Sequence, residues 1–273
     1  MAKNSRIEWT NHTFNPWWGC VKVSPACKHC YAESWSKRVG QNVWGVGSDR
    51  RFFGDKHWAE PLRWNAFAAA EGQRARVFCA SMADVFEDRR DLDGARARLW
   101  KLIEATPWLD WLLLTKRPEA VMRLAPWGTC WPANVWIGTT VEDQRRADER
   151  LPILVSIPAV VRFISAEPLL DSVDLSPWLA SLDWIITGGE SGPKARPSSP
   201  SWFTSIMNQC MAADVAFHFK QWGDWAPGDG VALAKVRAER AADGTTMLRV
   251  GKKVAGRLLG GTTWDELPTA RTA

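Results

Sequence analysis

Tyrosine is nearly missing from these 273 residues: Tyr31 stands alone against 19 Trp and 10 Phe. Histidine is also scarce, at four, and no HExxH or HxH pattern occurs. That places a histidine-based zinc hydrolase last among the candidate functions. No apolar run approaches the ~20 residues that span a bilayer. The opening MAKNSRIEWTNHTFNPWW carries no apolar secretory core, so a cytoplasmic location is expected, with no membrane partner. Low-complexity tracts and repeats longer than one strand–helix unit are absent. Neither sign of charge dominates. Thirty-five basic residues against 30 acidic leave +5, and the pI is near 9.0. This permits an anionic partner without requiring one.

What is present is ordinary in bulk. Hydrophobic residues make up 46% and charged residues 24%, which excludes dominant disorder. A chain of this length buries a core without disulfide staples.

From residue 70 onward a short apolar run ends in small or charged residues, and a helical stretch follows. The runs are 76–80 (RVFCA), 111–114 (WLLL), 135–138 (VWIG), 160–164 (VVRFI), 184–187 (WIIT) and 216–219 (AFHF). Helices are expected at 94–105, 142–156, 177–182 and 201–213. Near-continuous apolar strands are what a parallel sheet covered on both faces requires. The segment 13–18 is a weak further strand, because Pro16 interrupts it. Six or seven βα units point to α/β class and a partial or open (β/α) barrel. A doubly wound sheet is the second choice. Residues 224–230 (DWAPGDG) read as a linker, and 246–250 with 253–259 as a small β-hairpin. The expected division is a barrel over 1–223 and a C-terminal cap over 224–273.

In such folds ligands sit at the C-terminal strand ends. Those ends carry Ser81 and Asp84; Lys116 and Arg117; Thr140 and Glu142; Glu167; Gly188, Gly189 and Glu190; and Lys220. Helix capping explains Ser81 or Thr140 equally well. It does not explain Glu167, Glu190 or Lys220.

Three of the six cysteines, Cys20, Cys27 and Cys30, fall within eleven residues in a C-x6-C-x2-C pattern. In a cytosolic chain such clustering reads as metal ligation or redox chemistry. Three thiolates suit a [4Fe–4S] cluster with one open iron. They equally suit zinc, with His12 as a fourth ligand; His29, inside the C-x2-C loop, is a poorer one. Cys79 reads as a buried small apolar residue, apart from the three.

NPWWGC and the loop ending CKHCYAE resemble the phage Gp37/Gp68 family, the three-cysteine-motif phage proteins. SMADVFE, LLLTKRPE, ISAEPLL, GGESG, FKQWG, GKKVAGRLLGG and TWDELP match the same family, from about Trp9 to Pro268. That family in turn resembles the radical SAM enzymes. The resemblance implies a partial (β/α) barrel and a [4Fe–4S] cluster on Cys20, Cys27 and Cys30. It also implies S-adenosylmethionine as cofactor and an electron donor as partner. It departs from the radical SAM pattern in the first cysteine gap and in His29, which stands where an aromatic residue is usual. Gly188-Gly189-Glu190 copies a GGE motif but follows about the sixth strand rather than the second.

The cofactor-binding set implied is His29, Tyr31, Ser81, Asp84, Lys116, Arg117, Thr140, Glu142, Gly188 and Gly189. Asp84 or Glu142 would face the cofactor's ammonium, and Lys116 or Arg117 its carboxylate. Glu167, Glu190 and Lys220 would face the substrate. A nucleobase, nucleotide or nucleic-acid substrate is expected. The reasons are the basic residues Lys116, Arg117, Lys194, Arg196 and Lys220, and stacking faces on Trp17, Trp18, Trp44, Trp222 and Trp225. The rival reading is a zinc-stabilised nucleic-acid-binding protein without catalysis.

Overall fold

Seven strands run parallel in one curled sheet, with helices returning the chain between them. The computed structural model describes residues 2, 3, 5, 7–228 and 236–269. The strands in chain order are β1 (Ala2–Lys3), β2 (His12–Phe14), β3 (Trp17–Trp18), β4 (Arg51–Phe52), β5 (Ala75–Cys79), β6 (Leu109–Thr115) and β7 (Val135–Thr140). Then come β8 (Val161–Ala166), β9 (Trp184–Gly188), β10 (Ala216–Gln221), β11 (Trp225–Pro227), β12 (Ala238–Arg240) and β13 (Thr246–Arg249). The main sheet has the order β1-β2-β5-β6-β7-β8-β9-β10. All its pairs are parallel except β1 with β2. It is a partial (β/α) barrel.

The helices are α1 (Tyr31–Arg38), α2 (Asp55–Trp58), α3 (Glu60–Glu71), α4 (Asp93–Glu104), α5 (Pro118–Leu124), α6 (Gln144–Leu154), α7 (Pro200–Ala213) and α8 (Lys252–Ala255). Alternation along the strands divides the core in two. Val77, Cys79, Trp111, Leu113, Ile137, Ile164, Ile185 and Phe217 pack with helix residues such as Leu99, Val121, Leu151 and Phe203. Phe78, Leu112, Trp136, Phe163, Trp184 and Ile186 form a separate inner cluster around Trp9. Apolar residues on both faces are the signature that made these strands readable in the sequence. Cys79 is fully buried in the helix-side core as a small apolar residue.

Three expectations need correction. The segment 13–18 is two short strands, because Pro16 cannot donate to a ladder. β2 joins the main sheet, and β3 pairs with β4. The stretch 177–182 is a turn and one 3-10 turn, Leu179–Ser181. The C-terminal hairpin does not form. β13 pairs with β11 and β12 instead, and 252–255 is helical, since Gly251 at φ 81 turns the chain away after β13. Residues 229 and 230 of the expected linker lie outside the described residues.

The tail covers the open edge of β10. Phe219 N–H donates to Trp264 O at 3.0 Å, and Phe217 N–H to Glu266 Oε2 at 2.8 Å. An edge left bare would template pairing with other chains. Among the described residues no helix is long and apolar enough to cross a membrane.

His218 on β10 lies beneath this tail; among the described residues neither ring nitrogen makes a hydrogen bond, and Asp265 Oδ1 stands 3.5 Å from Nδ1. Burial pushes its imidazole down to about 4, with Arg257 and Lys220 assisting and Asp265 and Glu167 opposing. The unfolded chain binds that proton near pH 6.5. Stability is therefore complete above about pH 6.5 and falls as pH drops toward 4, by about 3 kcal/mol in all. Urea melts between pH 7 and 4.5 should show a markedly flatter decline in His218→Leu. Equal slopes in both proteins would refute the assignment.

Candidate functional site

Gly19 starts the cysteine loop. Its φ is +117, and an added Cβ would lie 2.3 Å from Val43 O, so only glycine fits. The loop passes Cys20, makes a 3-10 turn at Pro25–Cys27, and places Cys30 as N-cap of α1. Five contacts tie the Cys20–Tyr31 stretch across the strand ends. Tyr31 Oη donates to Ser81 O at 2.9 Å, and Arg117 Nη2 to Val21 O at 2.8 Å. Ala26 N–H donates to Glu142 Oε1 at 3.3 Å, and Arg196 Nη2 to Pro25 O at 3.1 Å. His29 Nδ1 is 3.1 Å from Glu190 Oε2. The loop thereby closes one side of a cavity of about 730 Å³.

All three cysteines line that cavity, as do His29, Tyr31, Ser81, Asp84, Lys116, Arg117, Thr140, Glu167, Gly189, Glu190 and Lys220. Trp9 and Phe78 also line it, contributed by the inner apolar cluster. Glu142 and Gly188 do not. Glu142 is fully buried, with its Oε2 2.9 Å from Arg150 Nη1. Gly188 serves the packing: a Cβ there would sit 3.2 Å from the Glu167 carboxyl.

Most charges at the mouth are already spent on one another. Asp84 Oδ2 receives Arg117 Nη1 at 2.8 Å, and its Oδ1 receives Thr115 Oγ1 at 2.8 Å. Lys220 Nζ lies 2.8 Å from both oxygens of Glu167. Arg196 grips Glu190 through Nε and Nη2. Burial would raise the Glu190 pKa, but the Arg196 guanidinium and backbone N–H, together with His29, hold it below the usual carboxylate value. Lys116 lines the cavity, and among the described residues its side chain has no ion-pair partner. So of the five basic residues expected to hold phosphate, Arg117, Arg196 and Lys220 are engaged internally.

The tryptophans are mostly structural. Trp17, Trp222 and Trp225 are buried in the main core, so they offer no stacking face. Trp44 does line the cavity. Trp9 and Lys252 line it too; neither lies at a strand end, so the strand-end reading did not single them out.

The thiols differ in environment. Burial, aided by Asp84, pushes Cys20 up to about 12, although Arg117 opposes it. Burial also raises Cys30. At Cys27 the Lys116 ammonium and hydrogen bonds from residues 23 and 24 outweigh burial and lower the pKa. All three are free thiols. Among the described residues no three His, Cys, Asp or Glu side chains are gathered as a ready metal site. The three thiol donors on one cavity wall fit a thiolate-ligated cluster. His12 does not fit as a ligand: it stacks on Trp64 of α3, with ring centroids 4.4 Å apart, and does not line the cavity.

The fold and site define a partial (β/α) barrel with a three-cysteine loop over the C-terminal ends of its strands. The chain belongs to the family described as "protein of unknown function (DUF5131)", which matches residues 4–268. No curated protein matches it. Among solved structures it is similar to spore photoproduct lyase. A double mutant with bound AdoMet and dinucleoside spore photoproduct matches at TM-score 0.45 and 12% identity, covering 88% of this chain and 68% of that one. A single mutant matches at TM-score 0.47 and 12% identity, covering 90% and 70%.

Proposed function

We propose that this chain is an iron–sulfur enzyme of the radical SAM type that acts on a nucleobase or nucleic acid. The observation that carries the reading is the position of Cys20, Cys27 and Cys30. Spaced x6 and x2, they sit on one wall of a cavity at the C-terminal ends of parallel strands. These thiolates would hold a [4Fe–4S] cluster, which with S-adenosylmethionine supplies one-electron cleavage of a sulfonium. A reduced electron donor is the partner this requires.

The chain's own residues provide placement. Lys116, which has no ion-pair partner among the described residues, offers its ammonium for the cofactor's carboxylate, close enough to lower the Cys27 pKa. Asp84, saturated by Arg117, Thr115 and backbone N–H groups, positions Lys116 and Arg117 rather than receiving an ammonium. The apolar inner cluster around Trp9 excludes water from the lumen, which protects reactive intermediates. In this reading 1–223 is the catalytic barrel, 224–273 a cap, and the protein works in the cytoplasm, where thiols stay reduced.

Purification without oxygen and reconstitution with iron and sulfide test it. The expected result is about four irons per chain and absorption near ~400 nm. Cys20→Ala, Cys27→Ala and Cys30→Ala should each remove it. Stoichiometric zinc with no iron uptake would overturn the reading.

A further inference from the structure

Three chain segments that meet at the cavity carry no acidic residue. They are 20–30 in the cysteine loop, 191–197 after β9, and 249–258, which runs from the end of β13 through α8. Between them they hold five lysines and three arginines. Each segment contributes to the lining, the first through its cysteines, the second through Ser191 and the third through Lys252. Hydrogen bonds tie them into one rim. Arg196 Nη2 donates to Pro25 O at 3.1 Å, joining the second segment to the first. Arg249 Nη2 donates to Gly192 O at 3.0 Å and to Pro193 O at 2.6 Å, joining it to the third. Gly251 N–H holds the start of α8 to Asp224 O at 3.0 Å, and Asp224 N–H returns to Glu190 O at 3.0 Å.

Half of these cations are spent on the framework. Arg196 pairs with Glu190, Arg249 with Asp224, Arg257 with Asp265 and Lys22 with Glu33. Lys28, Lys194, Lys252 and Lys253 differ. All four are exposed, and among the described residues none has an ion-pair partner. Glu8, a lining acid also without an ion pair among the described residues, precedes β2 and so belongs to the opposite end of the strands. Single lysines are ordinary on a surface. Four at one mouth, with no acid on their segments, form a field that attracts a polyanion.

We infer that this rim grips the sugar–phosphate backbone of a nucleic-acid strand, so that the base entering the cavity belongs to a polymer and is not a free nucleotide. A mononucleotide carries one phosphate group and cannot meet four separate ammoniums; a strand presents a phosphate to each. Lys252 lines the cavity itself, so the charge faces what enters there, which favours a substrate strand over an acidic protein docked elsewhere. Beside it Val254 and Leu258 are exposed and offer apolar contact to an unstacked base. The inference rests on the proposed nucleic-acid reading of the cavity and narrows it to a strand. Its test uses neither iron nor turnover.

Fluorescence anisotropy of a labelled single-stranded oligonucleotide of about 12 nucleotides, titrated with the full chain, decides it. The logarithm of the binding constant should fall linearly with the logarithm of salt, with a slope of about −3, because each phosphate contact contributes about 0.7. Lys28→Gln, Lys194→Gln, Lys252→Gln and Lys253→Gln should each flatten that slope by about 0.7. Lys101→Gln, on the exposed face of α4, should leave it unchanged. A mononucleotide should bind about a hundredfold more weakly than the strand, or worse. The salt series and the mononucleotide need only the wild-type protein, so a poorly folding variant does not blunt the test. No strand binding, a slope indifferent to the four substitutions, or equal binding of strand and mononucleotide would overturn the inference. So would polyglutamate of similar length binding as tightly, which would make the rim a dock for an acidic protein. A chain that binds the strand through these lysines but takes up no iron keeps the rim and loses the radical reading; iron uptake without strand binding does the reverse.

Discussion

Arg50→Ala is expected to cost about 3–5 kcal/mol of folding stability, the usual consequence of stripping one partner from a buried ion pair. The Arg50 side chain is fully buried, and Glu87 nearly so. Its guanidinium meets Glu87 Oε1 at 2.6 Å and the carbonyls of Val43, Gly45 and Ser48 at 3.0, 3.2 and 2.7 Å. Removing it strands a buried carboxylate and three carbonyl oxygens together. The effect reaches the site, because Gly45 N–H donates to Cys20 O at 3.0 Å. The 43–50 segment is thus the bed on which Cys20 rests. Urea melts should show the loss, with Tm lower by about 10 °C. Cys20, half-buried in the intact protein, should react faster with a thiol reagent. Arg50→Lys should rescue little, since an ammonium cannot reproduce the planar fork. A cost below about 1 kcal/mol, or unchanged Cys20 reactivity, would show that the loop stands without this anchor.

Gly189→Ala should be at least as damaging. A Cβ at Gly189 would lie 1.9 Å from Trp222 O and 2.6 Å from Trp222 C. The obstacle is backbone, so no side-chain rotation relieves it. Gly223 faces the same junction from the other side: at φ +81, its Cβ would lie 2.2 Å from Glu190 O. The two glycines let the segment after β9 and the segment after β10 touch main chain to main chain, with Gly189 N–H donating to Gln221 O at 2.9 Å. Overpacking here should cost about 3 kcal/mol or more and displace Glu190 from His29. Gly188→Ala is the matched control. Its nearest obstacle is the Glu167 side chain at 3.2 Å, which can shift, so the loss should be much smaller. If both variants melt alike, the close approach of the two segments does not govern stability.

The glycine pair also shows that a motif can have a packing explanation. Gly188-Gly189-Glu190 copies a cofactor-binding signature, yet here Gly189 is explained by the passing carbonyl of Trp222 and Glu190 by its grip on Arg196 and His29. The tryptophans teach the same lesson. Trp17, Trp222 and Trp225 looked like stacking platforms because an indole suits that task, but an indole suits a core equally well. A composition cannot choose between the two.

Periodicity alone was enough for the architecture. Strands such as 109–115 and 135–140 are apolar on both faces, and that pattern has one common solution, a parallel sheet with helices outside and a packed lumen inside. The three-cysteine spacing was legible for a related reason: it is a local relation within eleven residues, which folding need not create. Beyond that range the chain's own order says little. Asp84 with Arg117, Glu142 with Ala26, Glu190 with His29, and Arg50 with Glu87 join residues 33, 116, 161 and 37 positions apart. Each charge could have been solvated, paired or catalytic, and only the packed loops decide which. The shift of register that turns Lys220 and Gln221 into one cavity is likewise a property of two neighbouring strands. Patterns repeated along the chain determine the fold because burial acts on every residue alike; the state of each polar group at the site depends on which few atoms the finished tertiary structure brings within 3 Å of it.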